Sequence, residues 1–164
     1  MKEIHDIATS LLDVDGSCRD LNFENPTWPG VDAMLKALAS TFEIESVTDA
    51  DGADVSGPPS KGIRTLVPSG GRALMKNGAF VKQLQIFVFR EDDGRPFVEL
   101  TFFPQDVVQS DDVRGDFLEW ADRLARHLGA LRFYARYENA SWQFGDSGPQ
   151  SGVFAVSGEI NADS

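Results

Sequence analysis

Two alternating segments joined by a turn place the strongest constraint on how this chain folds. Leu84-Gln85-Ile86-Phe87-Val88-Phe89 becomes apolar on both faces towards its end, as a strand does inside a sheet. Asp92-Asp93-Gly94-Arg95 breaks the run, and Phe97-Val98-Glu99-Leu100-Thr101-Phe102-Phe103 resumes it up to Pro104. Such a pair around an Asp-Gly turn is a β-hairpin. The fold must therefore contain an antiparallel sheet with at least one interior strand.

The rest of the chain supplies helices and further strands. Ile4, Ile7, Ala8, Leu11 and Leu12 recur at helical spacing within residues 3–12, before Asp13-Val14-Asp15-Gly16 ends the pattern. Arg19 to Glu24 alternates, with Leu21 and Phe23 on one face and Asp20, Asn22 and Glu24 on the other. Thr27 is placed to cap a helix with Pro29 in its first turn and a stripe of Val31, Met34, Leu35, Leu38 and Ala39. Residues 42–47 alternate again, with an acidic outer face. Residues 48–62 read as a long loop, and 63–82 fit neither a helix nor a strand clearly. A second amphipathic helix is predicted from Asp112 to Leu128, its stripe formed by Phe117, Trp120, Ala121, Leu124 and Leu128 and its stop by Gly129. Strands follow at 131–137 and 153–156. At 164 residues the length suits one domain, expected to span 1–158 with a frayed tail at 159–164. The element order predicts an α+β fold: a mainly antiparallel sheet of about five to six strands with two to three helices packed on one face.

Charge narrows the partners. The chain carries a formal net charge of −11, divided as −9 over residues 1–60, +6 over 61–90 and −8 over 91–164. The middle segment holds Lys61, Arg64, Arg72, Lys76, Lys82 and Arg90 and no acid. Acidic surface repels phosphate, which argues against nucleic acid as a partner. It steers a basic protein, or it only keeps the chain soluble. No apolar run approaches the length of a membrane span. The start, Met1-Lys2-Glu3-Ile4-His5-Asp6, lacks the design of a signal peptide, so a cytoplasmic location is expected.

Chemical motifs are sparse. One Cys and two His, namely Cys18, His5 and His127, are scattered rather than clustered as zinc ligands. Asp13, Asp15 and Glu24 match positions 1, 3 and 12 of a calcium loop, but Cys18 stands where its sharp turn requires Gly. Asp49, Asp51 and Asp54 form either a weak cation loop or a solvated acidic turn. His127 suits the negative end of its helix, and Cys18 suits a small buried residue. Asp20 and Glu24 stand about 13 Å apart along one strand, too far for a carboxylate dyad unless a neighbouring strand brings Glu43, Glu45 or Glu99 close. Gly57-Pro58-Pro59-Ser60-Lys61-Gly62 lacks the spacing of a nucleotide loop. Ser69-Gly70-Gly71-Arg72 has the composition of an anion-binding turn. Trp28, Trp142, Tyr134 and Tyr137, with Arg132 and Arg136, form either a recognition patch or a packed strand face.

Ser17-Cys18-Arg19-Asp20-Leu21-Asn22-Phe23, then Trp28-Pro29-Gly30-Val31 opening a helix, resembles the start of small bacterial proteins of the toxin-immunity type. Val98-Glu99-Leu100-Thr101-Phe102-Phe103, followed by a helix and a strand near Tyr134, is similar in order. The resemblance implies a cytoplasmic inhibitor that binds a cognate basic toxin domain and occludes its active site, with no catalytic residue, metal or cofactor. The contact residues expected on that reading are Asp20, Asn22, Glu24, Trp28, Glu43, Glu45, Asp49, Asp51 and Asp54. Two other classes stay open. One is a secretion-chaperone-like or scaffolding module, dimeric with an apolar groove. The other is a small enzyme with a carboxylate-based site or with Arg72 and Arg90 in a pocket. Oligomeric state is not legible.

Overall fold

The computed structural model describes residues 6–138, 143–145, 152–158 and 160. Ile4, His5, Trp142 and all of 159–164 except Ile160 lie outside them.

Side-chain caps open the main helices. Asp6 caps α1 (Ile7–Leu12) by accepting from Ala8 N at 3.2 Å. Thr27 Oγ1 accepts from Gly30 N at 3.0 Å to open α2 (Trp28–Thr41), with Pro29 in the first turn. Asp112 caps α5 (Val113–Leu128) through Gly115 N, and Gly129 ends it in the left-handed region at φ 66°. Between α2 and α5 come two single-turn segments, α3 (Pro59–Gly62) and α4 (Leu66–Ser69), and 3-10 turns at Ile63–Thr65 and Pro104–Asp106.

The strands are β1 (Arg19–Glu24), β2 (Glu43–Asp49), β3 (Gly71–Lys76), β4 (Gln83–Arg90), β5 (Pro96–Phe102), β6 (Arg132–Tyr137) and β7 (Val153–Val156). They form one antiparallel sheet in the order β2-β3-β4-β5-β1-β6-β7. The α+β class is as expected, but the sheet has seven strands rather than five or six, and α3 and α4 add to the expected two to three helices. The extra strand is β3. Ala73, Leu74, Met75 and Lys76 are good helix formers, and pairing with β2 and β4 on either side overrides that preference.

The hydrophobic core lies between one sheet face and α1, α2 and α5. Leu21, Ile86, Val88, Val98 and Leu100 from the sheet meet Val31, Met34, Phe117 and Leu124 from the helices, all at most 3% exposed. α2 and α5 approach closely at Gly30, where a Cβ would overlap the Leu128 carbonyl. The long loop expected over 48–62 is confined to 50–58, between the end of β2 and α3. Thr48 bridges Asp54 and Val55 N donates to Val47 O at 2.9 Å, so the chain folds back along the β2 edge before α3.

Candidate functional site: the uncovered sheet face

Alternation along the strands sends the second set of side chains to the face that no helix covers among the described residues, where Phe144 packs on Tyr134 at the β6 side with ring centroids 5.4 Å apart. β1 places Asp20, Asn22 and Glu24 there, β5 places Phe97, Glu99 and Thr101, and β6 places Arg132, Tyr134 and Arg136. β4 adds Gln85, Phe87 and Phe89, and β3 adds Arg72 and Leu74. The pairing puts Asp20 opposite both Thr101 and Arg136, and Asn22 opposite Glu99 and Tyr134.

These cross-strand neighbours form a polar network at the middle of the face. Arg136 Nη2 lies 3.3 Å from Asp20 Oδ2 and 3.4 Å from Glu99 Oε1, while its Nε donates to Asn22 Oδ1 at 3.0 Å. Thr101 Oγ1 donates to Asp20 Oδ1 at 2.7 Å. Glu24 Oε2 accepts from Arg132 at 3.2 Å and from the Tyr134 hydroxyl at 3.4 Å. Burial pushes the Glu99 carboxyl up to about 7; the Asp20 charge adds to that rise and Arg136 opposes it. Asn22 Nδ2 is buried without a hydrogen-bond partner among the described residues.

The strand face opposite Leu21 and Phe23 is not solvated at Asp20 and Asn22. Asp20 is 6% and Asn22 0% exposed, because long side chains from β5 and β6 close over them. Glu24 is half-buried on Arg132. Trp28 is half-buried and donates its Nε1 hydrogen to Gly94 O at 2.8 Å, pinning the β4–β5 turn. Glu43 and Glu45 are exposed on the edge strand β2, Glu43 at 4.0 Å from Lys76. Asp49 Oδ1 accepts from Asp51 N and Ala53 N and shapes the turn that carries exposed Asp51 and Asp54. Three strands separate β1 from β2, about 19 Å at the usual strand spacing, so the nine expected contact residues fall into two groups. The face also carries Phe87, Phe89 and Phe97. Their face could be read from parity with Val88 and Val98, but nothing in the sequence says that it stays uncovered.

Other motifs resolve in simple terms. Asp15, the third-position match to a calcium loop, is held down to about 2 by hydrogen bonds from Ser17 and Arg19. No group of three metal-ligating side chains occurs among the described residues. Cys18 is buried, and burial followed by the charges of Asp20 and Glu138 pushes its thiol up to about 12, far from a reactive thiolate. Arg19, fully buried on the core side, lies 4.2 Å over the Tyr137 ring and donates to Ser10 O at 2.7 Å, tying α1 to β1. In the Ser69-Gly70-Gly71-Arg72 turn, Gly70 N donates to Leu66 O and Gly71 pairs within the sheet, so that turn is committed to the fold.

Two concavities flank this frame. One, of about 540 Å³, lies where β2, β3 and β4 end and is lined by Asp49, Arg72, Phe87, Phe89 and Arg90. The other, of about 450 Å³, runs between α2 and α5 over Leu38, Phe42, Phe80 and Trp120, with Glu119 and Arg123 on its rim. Among the described residues no helix is long and apolar enough to cross a membrane.

Comparison with known proteins bears on the fold. No protein-family model matches the sequence, and no curated protein does. The chain is similar to a chain of the crystal structure of the toxic C-terminal tip of CdiA from Pseudomonas aeruginosa in complex with immune protein. That likeness covers 88% of this chain and 97% of the other, at 15% identity and a TM-score of 0.59. A match to the crystal structure of Ara h 8.0201, at 10% identity and a TM-score of 0.27, covers 67% of this chain and 92% of that one and carries no argument. At these identities the likeness shows the fold alone.

Proposed function

We propose that this chain is a protein-binding inhibitor of the immunity type, which neutralises a cognate bacterial toxin in the cytoplasm by covering its active site. The observation that carries the reading is the fold likeness, over nearly the whole of both chains, to a chain of a toxin–immune protein complex. Chemistry on the sheet face favours binding over catalysis. Its two central carboxylates are both held by Arg136, Asp20 at 3.3 Å and Glu99 at 3.4 Å, and Asp20 also accepts from Thr101. The hollow at Arg72 and Arg90 offers one carboxylate, Asp49, whose Oδ1 is held by its own turn. Neither arrangement presents a base poised near a nucleophile.

Contacts to a basic toxin domain then come from Glu43, Glu45, Asp49, Asp51 and Asp54 at one edge, from Glu24 at the margin of the network and from Trp28 beyond it. Asp20 and Asn22 act from beneath, by holding Arg136. The reading predicts a toxin gene beside this one, and the test is co-expression with that toxin. Restored growth and a complex that co-elutes on gel filtration are expected. Failure of both overturns the reading.

A scaffolding role has one observation in its favour, the apolar groove between α2 and α5. It requires a homodimer, so light scattering that shows a monomer at working concentration removes it.

A further inference from the structure

We infer that Phe87, Phe89 and Phe97 are the apolar anchor of the partner-binding surface, and that the partner inserts there an apolar side chain flanked by lysine or arginine. The inference rests on the inhibitor reading and names the surface and the partner chemistry.

The three rings form one strip. Phe89 and Phe97 are cross-strand partners with centroids 6.0 Å apart, and Phe87 stacks on Phe89 at 6.2 Å with ring planes 15° apart. Their neighbours Val88 and Val98 point the other way and are fully buried, so the strip lies on the uncovered face. Phe89 is 51% exposed. A single exposed apolar residue is ordinary, but three adjoining aromatics beside a concavity of about 540 Å³ mark a contact surface. Aromatic side chains are enriched at the centres of interfaces.

Charge says what covers it. The strip sits at the end of the sheet where two acidic turns project. One carries Asp49, Asp51 and Asp54, the other Glu91, Asp92 and Asp93. Against these six carboxylates stand Arg72, Arg90 and Arg95, and Arg95 pairs with Asp93 at 3.4 Å. The surroundings are therefore negative, and a basic rim on the partner complements them. A second copy of this chain, itself at −11, is repelled. Both turns are set before binding. Asp49 N donates to Ala53 O and Glu91 N to Arg95 O, and Trp28 holds Gly94. A preorganised rim loses little entropy on association.

The test uses the full, isotope-labelled chain and two synthetic peptides, acetyl-Lys-Leu-Phe-Lys-amide and acetyl-Glu-Leu-Phe-Glu-amide. The basic peptide is expected to shift amide signals in 49–54, 87–90 and 91–95 and to lose its effect as salt rises; the acidic peptide is expected to leave them unmoved. Phe89→Ala, at a half-exposed position that folding tolerates, should weaken the basic peptide at least about fivefold. Equal response to both peptides, shifts confined to the Trp120 groove, or concentration-dependent shifts without peptide each overturn the inference. Toxin neutralisation separates the two readings. If the wild type neutralises and Phe89→Ala neutralises equally well, the anchor falls and the inhibitor stands. If the wild type fails to neutralise, the inhibitor falls while the peptides still decide the surface.

Discussion

Arg136 Nη2 lies 3.3 Å from Asp20 Oδ2, across the β1–β6 pairing and on the side of the sheet that the helices leave bare. The side chains are only 11% and 7% exposed, so this is a buried ion pair rather than a surface one. Its value lies in the cost of breaking it. Without Arg136, Asp20 and Glu99 face each other with no cation between them, and Asn22 Oδ1 loses its donor.

Arg136→Met is therefore expected to destabilise the fold by about 3–5 kcal/mol. Arg132→Met removes a pair whose side chains are 32% and 20% exposed and should cost about 1 kcal/mol or less. Urea denaturation of the two variants measures the contrast, and equal losses would show that burial does not set the cost of breaking these pairs.

Glu99 makes stability depend on pH. Its carboxyl rises from 4.5 to about 7 in the folded chain, first through burial and then through the Asp20 charge. The folded state therefore binds the proton more tightly than the unfolded state. Its contribution is fully present below about 4.5 and is lost as pH rises through about 7. Glu99→Gln keeps the neutral form throughout. It should abolish that part of the pH dependence and leave the variant more stable than the wild type above pH 7, by on the order of 1–2 kcal/mol after solvent screening. Melting curves from pH 4 to 8 measure the difference, and parallel curves for the two proteins would sink the assignment.

Gly30 is a packing requirement that no composition count reveals. Any side chain there meets the Leu128 backbone, in the same corner where Thr27 N donates to Leu128 O at 3.0 Å. Gly30→Ala should gain helix propensity in principle, yet it has to push α2 off α5. A net loss of about 1–3 kcal/mol is expected from the overpacking. A stabilised variant would show that the two helices have room to part.

What was legible followed from local periodicity. The β4–β5 hairpin, the caps at Thr27 and Gly129 and the stripes of α2 and α5 lie in contiguous residues, and the structure has them. β3 was illegible because its helix-forming residues become a strand only through partners distant in sequence. β2 was half legible: its irregular register between Ile44 and Ser46 makes Val47 the buried residue, which a strict period of two cannot show. The sheet face tells the same story. Alternation put Asp20, Asn22 and Glu24 together on one side of β1, but whether that side meets solvent depends on Thr101 and Arg136, far away in the sequence. Parity fixes a face, while burial is decided by its neighbours.

The acidic turn at 49–54 offers a kinetic test of the inhibitor reading. Asp49 is unsuitable for mutation, because its carboxylate holds the turn through Asp51 N and Ala53 N. Asp51 and Asp54 are exposed and take no part in an ion pair among the described residues, so changing them should move stability by about 0.5 kcal/mol at most. Asp51→Lys combined with Asp54→Lys reverses charge at the rim without touching the aromatic strip. Association with a basic toxin domain is a diffusional encounter steered by that charge. The double variant should therefore slow the on-rate about tenfold at low salt, leave the off-rate nearly unchanged, and lose most of its deficit as added salt screens the field. Phe89→Ala should do the reverse, speeding dissociation with little salt dependence. Stopped-flow association at low and high ionic strength distinguishes the two. An on-rate indifferent to both the charge reversal and the salt would place the partner's approach elsewhere on the molecule.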